Sequence, residues 1–578
     1  MRIGKERIES EVFSLLKAWC DALTGLQLDM PGRGEFDGGL LCPACKIIHG
    51  RCHDAVYPMM VMAKRTGEDR YLTAAKKLFQ WGENMLCDDG SLYNDGQSDW
   101  NGITVFNAMA LHDALRRHGR LLDGATRAAW EKRLLAMGEW LHSHLVIGMS
   151  TNINYFAANA CAMALLGKYF GRADFLALSR SLQAYCLERF TENRLFYGEG
   201  KPIDARTPKG CAAIDVGGYN VEESLPALCR CAMELDDGRA LEAFRESFRA
   251  HLEWMLPDGA WDNSVGTRVF KWTYWGSRTS DGCQEALFRL GREDPVFAEA
   301  ALRNLRLYAR CTKDGLLAGG PDYFRHGEKV CVHHAFCHAK ALAGALDEGL
   351  YDFERVPLPS DTFQGMKHYP EMDTWRLARG PWRADVTAYD FNYMVGGHAS
   401  GGALSLLWHE KCGPVVAAGT VDYSLRESHN QQLSLKKAEH LPTCPRLELT
   451  ENGKRWGQHY DFGAAMTAHE AGGALRVHVG AFLCDDRGRR MDGDGACALD
   501  YALTEGELRI AGRVSPRLGG RAEYILPVVA EAARVRVVKG GMKGEPRPLF
   551  NLNPGFMGRE ERVSPDEDGA FEVAVTVG

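Results

Sequence analysis

The 578-residue chain lacks any run of about 18 apolar residues, so no transmembrane helix is expected. It also lacks a basic excess: the formal net charge is −7, which gives no electrostatic footprint for nucleic acid. The N-terminal pattern, MRIGKERIESEVFSLLKAWCDAL, is an amphipathic helix without the apolar stretch and cleavage site of a secretory signal. The 18 cysteines are spread through apolar stretches, which is typical of thiols in a reducing compartment. We therefore expect a cytoplasmic protein, or a periplasmic one if a leader has been removed.

About a dozen helical patterns fill the first 350 residues or so, with apolar residues at helical spacing. Examples are YLTAAKKLFQWGENML and RALEAFRESFRAHLEWML. Paired helices recur at a spacing of roughly 50 residues, which is typical of an array of helical hairpins. We predict that residues 1–360 form an α/α toroid, an incomplete barrel of helical hairpins. An open solenoid is the alternative. In a toroid the ends of the inner helices gather around one concave face, where we expect a site.

The pattern changes near the linker-like stretch VPLPSD. Beyond it come short alternating segments such as WRADVTAYD, GALRVHVGAFL and FEVAVTV, separated by turn residues. These segments predict an antiparallel β-sandwich over residues 361–578.

Two stretches of the helical half place polar side chains at helix starts. Asn152, Asn154 and Asn159 cluster in STNINYFAANA, although asparagine is a poor helix former. They either cap the helix or present amide donors at a helix N-terminus, which already favours an anion. Tyr219 follows two glycines in DVGGYNVEESLPAL, at the entry to the next helix. Its hydroxyl either projects into the toroid mouth or has a buried structural role.

Aromatic and basic side chains alternate in DGAWDNSVGTRVFKWTYWGSRTSDGCQ, which has the pattern of a loop or short hairpin. Aromatic rings beside cations are suited to sugar rings and their carboxylates, although the same residues could pack between the domains. We assign to substrate binding the following residues: Trp261, Lys271, Trp275, Arg278 and, upstream, Glu199.

Two further stretches are rich in histidine and cysteine. The first, LLCPACKIIHGRCHD, contains Cys42, Cys45, His49, Cys52 and His53, but its spacing matches no familiar zinc finger. We favour His49 and Arg51 as groups lining the toroid mouth and leave open whether this stretch binds a metal. The second, KVCVHHAFCHAKAL, places His334 and His338 one helical turn apart. His334 is assigned to substrate binding, with packed histidines as the alternative.

The start of the sheet-rich half contains GGHASGGALSLLWHEKCGPVVAAGT, with His398 among glycines before a strand. Together with SHNQQLSL, STNINYFAANA and GGYNVEESLPAL, this stretch resembles the heparinase II/III-type polysaccharide lyases, which join an α/α toroid to a β-sandwich. The resemblance implies that Asn154, Tyr219 and His398 are the catalytic residues, and the three occur in the family's order. It also implies that they converge on one cleft between the two domains.

The family's sandwich motif also holds a structural zinc ion, and here the sequence departs from it. Ser400 replaces the second histidine, Ala417 or Ala418 replaces an aspartate, and only His429 remains. One neutral imidazole does not make a site of three or four ligands. We therefore predict no zinc in the sandwich and no cofactor.

The resemblance implies β-elimination on an oligo- or polysaccharide that contains uronic acid, giving a 4,5-unsaturated end. Asn154 would neutralise the carboxylate, Tyr219 would act as acid and perhaps as base, and His398 is the alternative base. The lack of a secretory signal favours oligosaccharides that have been imported as the substrate, and hence exo action. Neither nucleic acid nor a membrane is an expected partner, and the glycan, its linkage and the oligomeric state stay open.

Two other functions remain open from the residues. An inverting glycoside hydrolase on the same scaffold would need two carboxylates about 6.5–9.5 Å apart. The candidates are Glu199, Asp215, Glu222, Glu223, Asp262 and Asp281. A glycan-binding protein without activity would explain the lost zinc positions, but not the surviving asparagine, tyrosine and histidine.

Overall fold

The computed structural model describes residues 1–94, 100–394, 396–419, 442–552 and 554–578. His429 therefore lies outside the described residues. The helices of the described chain, in order, are α1 (Lys5–Leu26), α2 (Val56–Thr66), α3 (Asp69–Trp81), α4 (Thr104–His118), α5 (Gly124–His144), α6 (Ile153–Phe170), α7 (Ala173–Leu187), α8 (Leu225–Glu234), α9 (Gly238–His251), α10 (Gln284–Leu290), α11 (Pro295–Cys311), α12 (Tyr323–His326), α13 (Val332–Glu348) and α14 (Pro359–Thr362).

Within the described residues, six helical hairpins form a closed ring. The inner helices α2, α4, α6, α8, α10 and α13 each contact the next, and α13 also contacts α2. Each inner helix packs against one outer helix: α3, α5, α7, α9, α11 and, for α13, the N-terminal α1. The α/α toroid predicted from the sequence is confirmed, and the open solenoid is excluded. The incomplete barrel that we expected is in fact closed, because the chain's first helix pairs with its last long one.

The inner helices are buried nearly all round, which fits their composition. Helix α6 (INYFAANACAMALLGKYF) is buried at almost every position before its last turn, and α13 is buried from Val332 to Leu346. Alanine is the commonest buried residue of α6 and α13, and its small side chain lets neighbouring helices approach closely. The outer helix α9 is amphipathic by contrast and buries only one stripe.

The short strands of the first half are β1 (Arg2–Ile3), β2 (Trp272–Thr273), β3 (Gly276–Ser277), β4 (Thr312–Lys313), β5 (Leu316–Leu317) and β6 (Phe353–Glu354). The strands of the second half are β7 (Gly365–Tyr369), β8 (Thr374–Arg379), β9 (Trp382–Thr387), β10 (Ala403–His409), β11 (Gly413–Ala417), β12 (Arg446–Glu451), β13 (Lys454–Gly457), β14 (Ala465–Ala471), β15 (Ala474–Phe482), β16 (Ala496–Leu503), β17 (Leu508–Val514), β18 (Glu523–Val528), β19 (Ala533–Lys539), β20 (Gly541–Met542), β21 (Arg547–Asn551), β22 (Phe556–Ser564) and β23 (Ala570–Val577).

The described part of the second half forms three antiparallel sheets, and most of their buried apolar side chains belong to one core. Their strand orders are β11-β10-β9-β8-β7, β13-β12-β18-β22-β20 with β21 beside β22, and β14-β15-β16-β17-β23-β19. Alternation along β15 buries Leu475, Val477 and Val479 and exposes the residues between them, as expected for a sheet with one solvated face. The predicted antiparallel architecture is confirmed.

The toroid ends with α13 at Glu348, and the first sheet begins with β7 at Gly365. The predicted division at residue 360 falls within the short helix α14, which starts at Pro359. The two halves are in contact: the Tyr389 hydroxyl donates to the Ala212 carbonyl at 2.7 Å, and Thr191 donates to Glu371 at 2.8 Å. Among the described helices, none is both long and apolar enough to cross a bilayer.

Candidate active site

Tyr219 lies on an unusual turn at the mouth of the toroid. Residues Val216–Ser224, directly before α8, form a π-helical segment. Such wide turns are rare and occur frequently at functional sites. The fully buried carboxyl group of Asp215 packs against Gly218, where an added Cβ would lie 2.1 Å from Asp215 Oδ1. This close approach explains the glycine before Tyr219. The segment places Tyr219 in contact with Lys271 and Glu223 in contact with Asn154.

Two cations from the predicted hairpin lie against Tyr219. The hairpin is confirmed as β2–β3. Lys271, just before β2, donates from Nζ to Tyr219 Oη at 2.9 Å. The guanidinium of Arg268 lies 5.6 Å from the centre of the Tyr219 ring. A cation at hydrogen-bond distance stabilises negative charge on a phenol oxygen, so this hydroxyl can accept as well as donate a proton.

Glu199 connects this cluster with the sheet-rich half. Its carboxylate pairs with Arg268 and accepts a hydrogen bond from the Tyr393 hydroxyl at 2.5 Å. Its backbone forms a bridge with Asn152, at the start of α6. Residues from α6, the hairpin and the sheet-rich half therefore meet at Glu199, as expected for a site between the two halves.

The three asparagines of α6 have separate roles. Asn152 caps the helix, since its side chain accepts from the backbone N–H of Asn154. Asn159 donates to the carbonyls of Leu141 and Leu145 at the end of α5. Asn154 alone faces a titratable group: its Nδ2 donates to Glu223 Oε2 at 2.5 Å. The capping interpretation thus holds for Asn152, while the catalytic role that the resemblance implies for Asn154 stays a prediction.

The pKa of Glu223 is raised, which favours its neutral form near pH 7. Burial raises its pKa to about 8, the nearby Asp281 carboxylate adds to the rise, and Arg51, Asn154 and Lys271 oppose it. Burial likewise raises the pKa of Asp215 to about 7, opposed by Arg268 and reinforced by Glu199. A protonated carboxyl group beside an amide can donate a hydrogen bond to a substrate carboxylate without repelling it.

A buried ion cluster lies close enough to Glu223 for its Asp281 and Arg51 to affect the pKa of Glu223. Arg51 donates to Asp54 Oδ2 at 2.9 Å and to Asp281 Oδ1 at 2.6 Å. Lys340, on α13, donates to the same two carboxylates at 2.9 and 2.7 Å. Arg51 was predicted to line the toroid mouth. The structure places it in this cluster, next to the site but engaged with carboxylates.

His398 lies in a pocket of its own loop. Its two ring nitrogens lie 3.1 Å from the carbonyl oxygens of Ala399 and Phe391, and its ring packs against Tyr389 and Phe462. Burial lowers the pKa of His398, and the contacts with the two carbonyl oxygens partly offset this by raising it. Among the described residues, none of these contacts joins His398 directly to Asn154 or Tyr219, so its catalytic role stays a prediction.

The other predicted substrate-binding residues are buried in the toroid. Trp261 and Trp275 belong to its apolar core, and Trp275 donates to the Ala318 carbonyl at 2.7 Å. Burial lowers the pKa of His334 to about 3, and its Nδ1 lies 2.9 Å from the Leu317 carbonyl. Arg278 reaches the sheet-rich half at the Leu552 carbonyl. Packing accounts for these contacts, and direct binding of substrate by the four residues stays a prediction.

The sandwich positions that hold zinc in the resembled family do not fit a metal here. Ala417 and Ala418 carry no ligand atom, and Ser400 offers only a hydroxyl. Within the described part of the sheet-rich half, no cluster of three histidine, cysteine or carboxylate ligands occurs. His49, the last of the predicted site residues, lies in the toroid beside Cys42, Cys45 and Cys331 and is not part of the sandwich motif.

Sequence reasoning missed two functional candidates. From the sequence, Glu223 is a candidate only as a hydrolase carboxylate, and Tyr393 is not among the predicted site residues. The signal for Tyr393 is the aromatic stretch YDFNYM directly before the glycine–histidine motif. Glu223 follows Tyr219 by four residues, but only the π-helical turn and the contact with Asn154 distinguish it from its neighbour Glu222.

Two protein-family models and a curated relative match this chain. The family model for the ulvan lyase N-terminal domain matches residues 16–357, and that for the ulvan lyase C-terminal domain matches residues 366–540. A broad-specificity ulvan lyase of Formosa agariphila is 36% identical over 527 residues, covering 89% of this chain and 82% of the relative.

Solved structures are also similar to this chain. The chondroitin AC lyase of Streptomyces coelicolor A3 is 13% identical, with a TM-score of 0.50 over 99% of this chain and 79% of that one. The heparan sulfate lyase of Pedobacter heparinus is 9% identical, with a TM-score of 0.47 over 97% and 83%. With its toroid, its antiparallel sheets and both domain matches, this chain belongs to the ulvan lyase family and is a polysaccharide lyase.

Proposed function

We propose that the protein cleaves ulvan, a glycan that contains uronic acid, by β-elimination at the Tyr219 site. The observation that carries the proposal is the contact of Tyr219 Oη with Lys271 Nζ at 2.9 Å, close to the Asn154–Glu223 pair. The 36% identity to a broad-specificity ulvan lyase supports the choice of glycan.

The first requirement of the reaction is neutralisation of the uronate. The C5 proton is hardly acidic while the adjacent carboxylate carries a full charge. The Asn154 amide and the neutral carboxyl group of Glu223 supply donors at one place, and the negative charge on the carboxylate grows as C5 loses its proton. Donors that are already in position when charge develops are the strongest source of such stabilisation.

Tyr219 then carries the proton. Tyr219 starts as the phenolate, which the neighbouring Lys271 cation stabilises. The phenolate oxygen takes the proton from C5, and the C–H electron pair delocalises into the carboxyl group. The electron pair forms the C4–C5 double bond as the C4–O4 bond breaks, and O4 leaves with the bonding electrons. Tyr219 returns the proton to O4. Atoms and charge balance without water, and the enzyme is restored.

His398 is the alternative base. It would abstract the proton if C5–H and O4 lie on opposite faces of the sugar ring, with Tyr219 remaining the acid. In that arrangement His398 must exchange a backbone carbonyl contact for the substrate. Measuring both sugar epimers distinguishes the two bases: His398→Ala should impair only the epimer whose proton faces the histidine.

The elimination itself is tested by ultraviolet absorbance. Incubation with ulvan should give a steady rise from the 4,5-unsaturated uronate, together with new reducing ends. A rise in reducing ends alone would support the hydrolase and contradict elimination. Binding with neither signal would support the glycan-binding alternative. Heparan sulfate and chondroitin sulfate, assayed in parallel, test how narrow the specificity is.

Replacing Glu223 should change the pH profile in a defined way. Since its pKa is raised to about 8, the wild-type rate should fall above that pH as the carboxyl group ionises. Glu223→Gln keeps a neutral donor, so it should retain activity and lose this alkaline limb. Glu223→Ala should lose roughly 10²–10³-fold in kcat, as typically found for a removed oxyanion donor. An unchanged alkaline limb in Glu223→Gln would contradict the role.

The same shift predicts a change in stability. The folded state keeps the Glu223 proton up to about pH 8, whereas an unfolded glutamate loses it near 4.5. The folded state therefore binds more protons between these values, and stability falls as pH rises through the window. The fall should be shallower in Glu223→Gln, measured as thermal midpoint against pH.

Exo action remains part of the proposal. The side chains of the site are enclosed, with Asn154 1% and Tyr219 6% exposed. An enclosed site admits a chain end more readily than the middle of a polymer. Early products should then be short oligosaccharides of one size, with slow loss of ulvan viscosity. Rapid loss of viscosity before short products appear would indicate endo action instead.

A further inference from the structure

Three cysteines and one histidine converge at a second buried position of the toroid. Cys42, Cys45 and His49 come from the loop before α2, and Cys331 directly precedes α13. One ligand atom from each of the four lies within 4.8 Å of the others. All four side chains are at most 2% exposed.

The spacing of these atoms matches a tetrahedral metal site. Cys331 Sγ lies 3.7 Å from the Sγ atoms of both Cys42 and Cys45, and 3.4 Å from His49 Nε2. With Zn–S bonds of about 2.3 Å and a Zn–N bond of about 2.0–2.1 Å, ideal edges are about 3.8 Å for S···S and about 3.6 Å for S···N. The cluster thus has the size that a zinc ion would require.

The backbone holds the first two cysteines in place. The CPAC turn is closed by the Lys46 N–H, which donates to the Cys42 carbonyl at 3.0 Å, with Lys46 at a φ of 60°. The Cys45 N–H donates to Cys42 Sγ at 3.3 Å. A backbone donor aimed at sulfur favours the thiolate, which is the form that binds metal. Two cysteines separated by two residues are the common half of structural zinc sites.

We propose that Cys42, Cys45, His49 and Cys331 bind one structural zinc ion. Tetrahedral sulfur-rich sites with imidazole favour zinc among the common metals. Because the protein supplies all four ligands and the site is buried, no coordination position is left for substrate or water, which distinguishes structural from catalytic zinc. Cys52 and His53, which share the sequence stretch, are outside the cluster.

The ion would join two ends of the toroid chain. It would tie the loop after α1 to the start of α13, across nearly 290 residues of sequence. The loop that carries His49 continues into Arg51 and Asp54, and α13 carries Lys340. The metal would therefore fix both chain segments that supply the ion cluster near Glu223. This role is separate from the elimination chemistry.

Metal analysis of the intact purified chain tests the proposal. Protein produced in zinc-supplemented medium should contain about one zinc per chain, with a zinc absorption-edge spectrum showing three sulfur neighbours and one nitrogen. A folded, active chain without metal would overturn the proposal. So would zinc bound only through nitrogen and oxygen, or a disulfide between Cys42 and Cys331 detected by mass spectrometry.

Matched alanine variants identify the ligands. Cys45→Ala and Cys331→Ala should each lower the zinc content below about a tenth of an ion per chain and lower the thermal midpoint. Cys52→Ala removes an equally buried thiol from the same stretch and should keep its zinc. Retention of full zinc by Cys331→Ala would overturn the proposal. If a ligand variant does not fold, cobalt substitution of the wild type decides, since thiolate-to-cobalt charge-transfer bands appear only with cysteine ligands.

Discussion

Tyr219→Phe is expected to lower kcat on ulvan by about 10²–10⁴-fold, the usual cost of losing a general acid or base. The substitution removes one hydroxyl, which contacts Lys271 at 2.9 Å, and leaves the ring in place on the π-helical segment. Glycan affinity should change far less than turnover, because the phenol oxygen transfers the proton from C5 to O4 and contributes little to binding the glycan. Steady-state kinetics and calorimetric titration of ulvan oligosaccharides measure the two quantities.

A remote tyrosine provides the control for this variant. Tyr351 likewise has a hydrogen-bonded hydroxyl, which donates to the Phe288 carbonyl at 2.6 Å, but it lies away from the site. Tyr351→Phe should leave kcat within a factor of about two, because no proton transfer involves it. Full activity of Tyr219→Phe, or equal losses in both variants, would contradict the assignment of Tyr219.

Among the variants proposed here, Asp54→Asn is expected to lose the most stability, about 3–5 kcal/mol in the unfolding free energy of the toroid. Asp54 is fully buried and accepts hydrogen bonds from Arg51 and Lys340. Replacing its charge leaves two buried cations facing Asp281 alone, and an uncompensated buried charge is costly. Denaturant unfolding followed by tryptophan fluorescence measures the change.

The pH dependence of this variant has a definite sign. Burial opposes ionisation of Asp54, but Lys340 and Arg51 outweigh it and hold its pKa below the ordinary value of 3.8. Its contribution to stability is therefore present above that value and is lost as pH falls through the folded pKa. Asp54→Asn should remove this acid-induced loss. Glu246→Gln, which breaks the exposed pair with Arg194, should barely change stability at neutral pH.

The helical periods were sufficient to predict the toroid, because inner helices such as α6 and α13 are apolar enough to be buried all round. They could not predict its closure, which depends on α1 packing against α13 at the far end of the chain. The sheets followed from alternation, but their division into three depends on long-range pairings such as that of β12 with β18.

The site was predictable only where a residue carried its own local signal. Asn154 belongs to a cluster of asparagines, which are poor helix formers, at the start of a helix. Tyr219 follows two glycines at the entry to the next helix, and both patterns are visible in the sequence. The partner of Asn154 is not visible, because Glu223 lies 69 residues away and its neutrality comes from burial and from Asp281. Tryptophans beside cations are ambiguous in sequence, because core packing and sugar binding use the same residue types. Trp261 and Trp275 belong to the apolar core, and their binding of substrate stays a prediction.

The most direct test of elimination at the Tyr219 site is digestion of ulvan in water enriched with heavy oxygen, followed by mass spectrometry of the products. Elimination uses no water, so the account predicts unsaturated fragments, each lighter than its hydrated counterpart by one water. The newly formed chain ends should carry no heavy oxygen incorporated by cleavage, and none of these fragments should form with Tyr219→Phe. Saturated fragments that carry one heavy oxygen for each bond broken would contradict the account and establish hydrolysis.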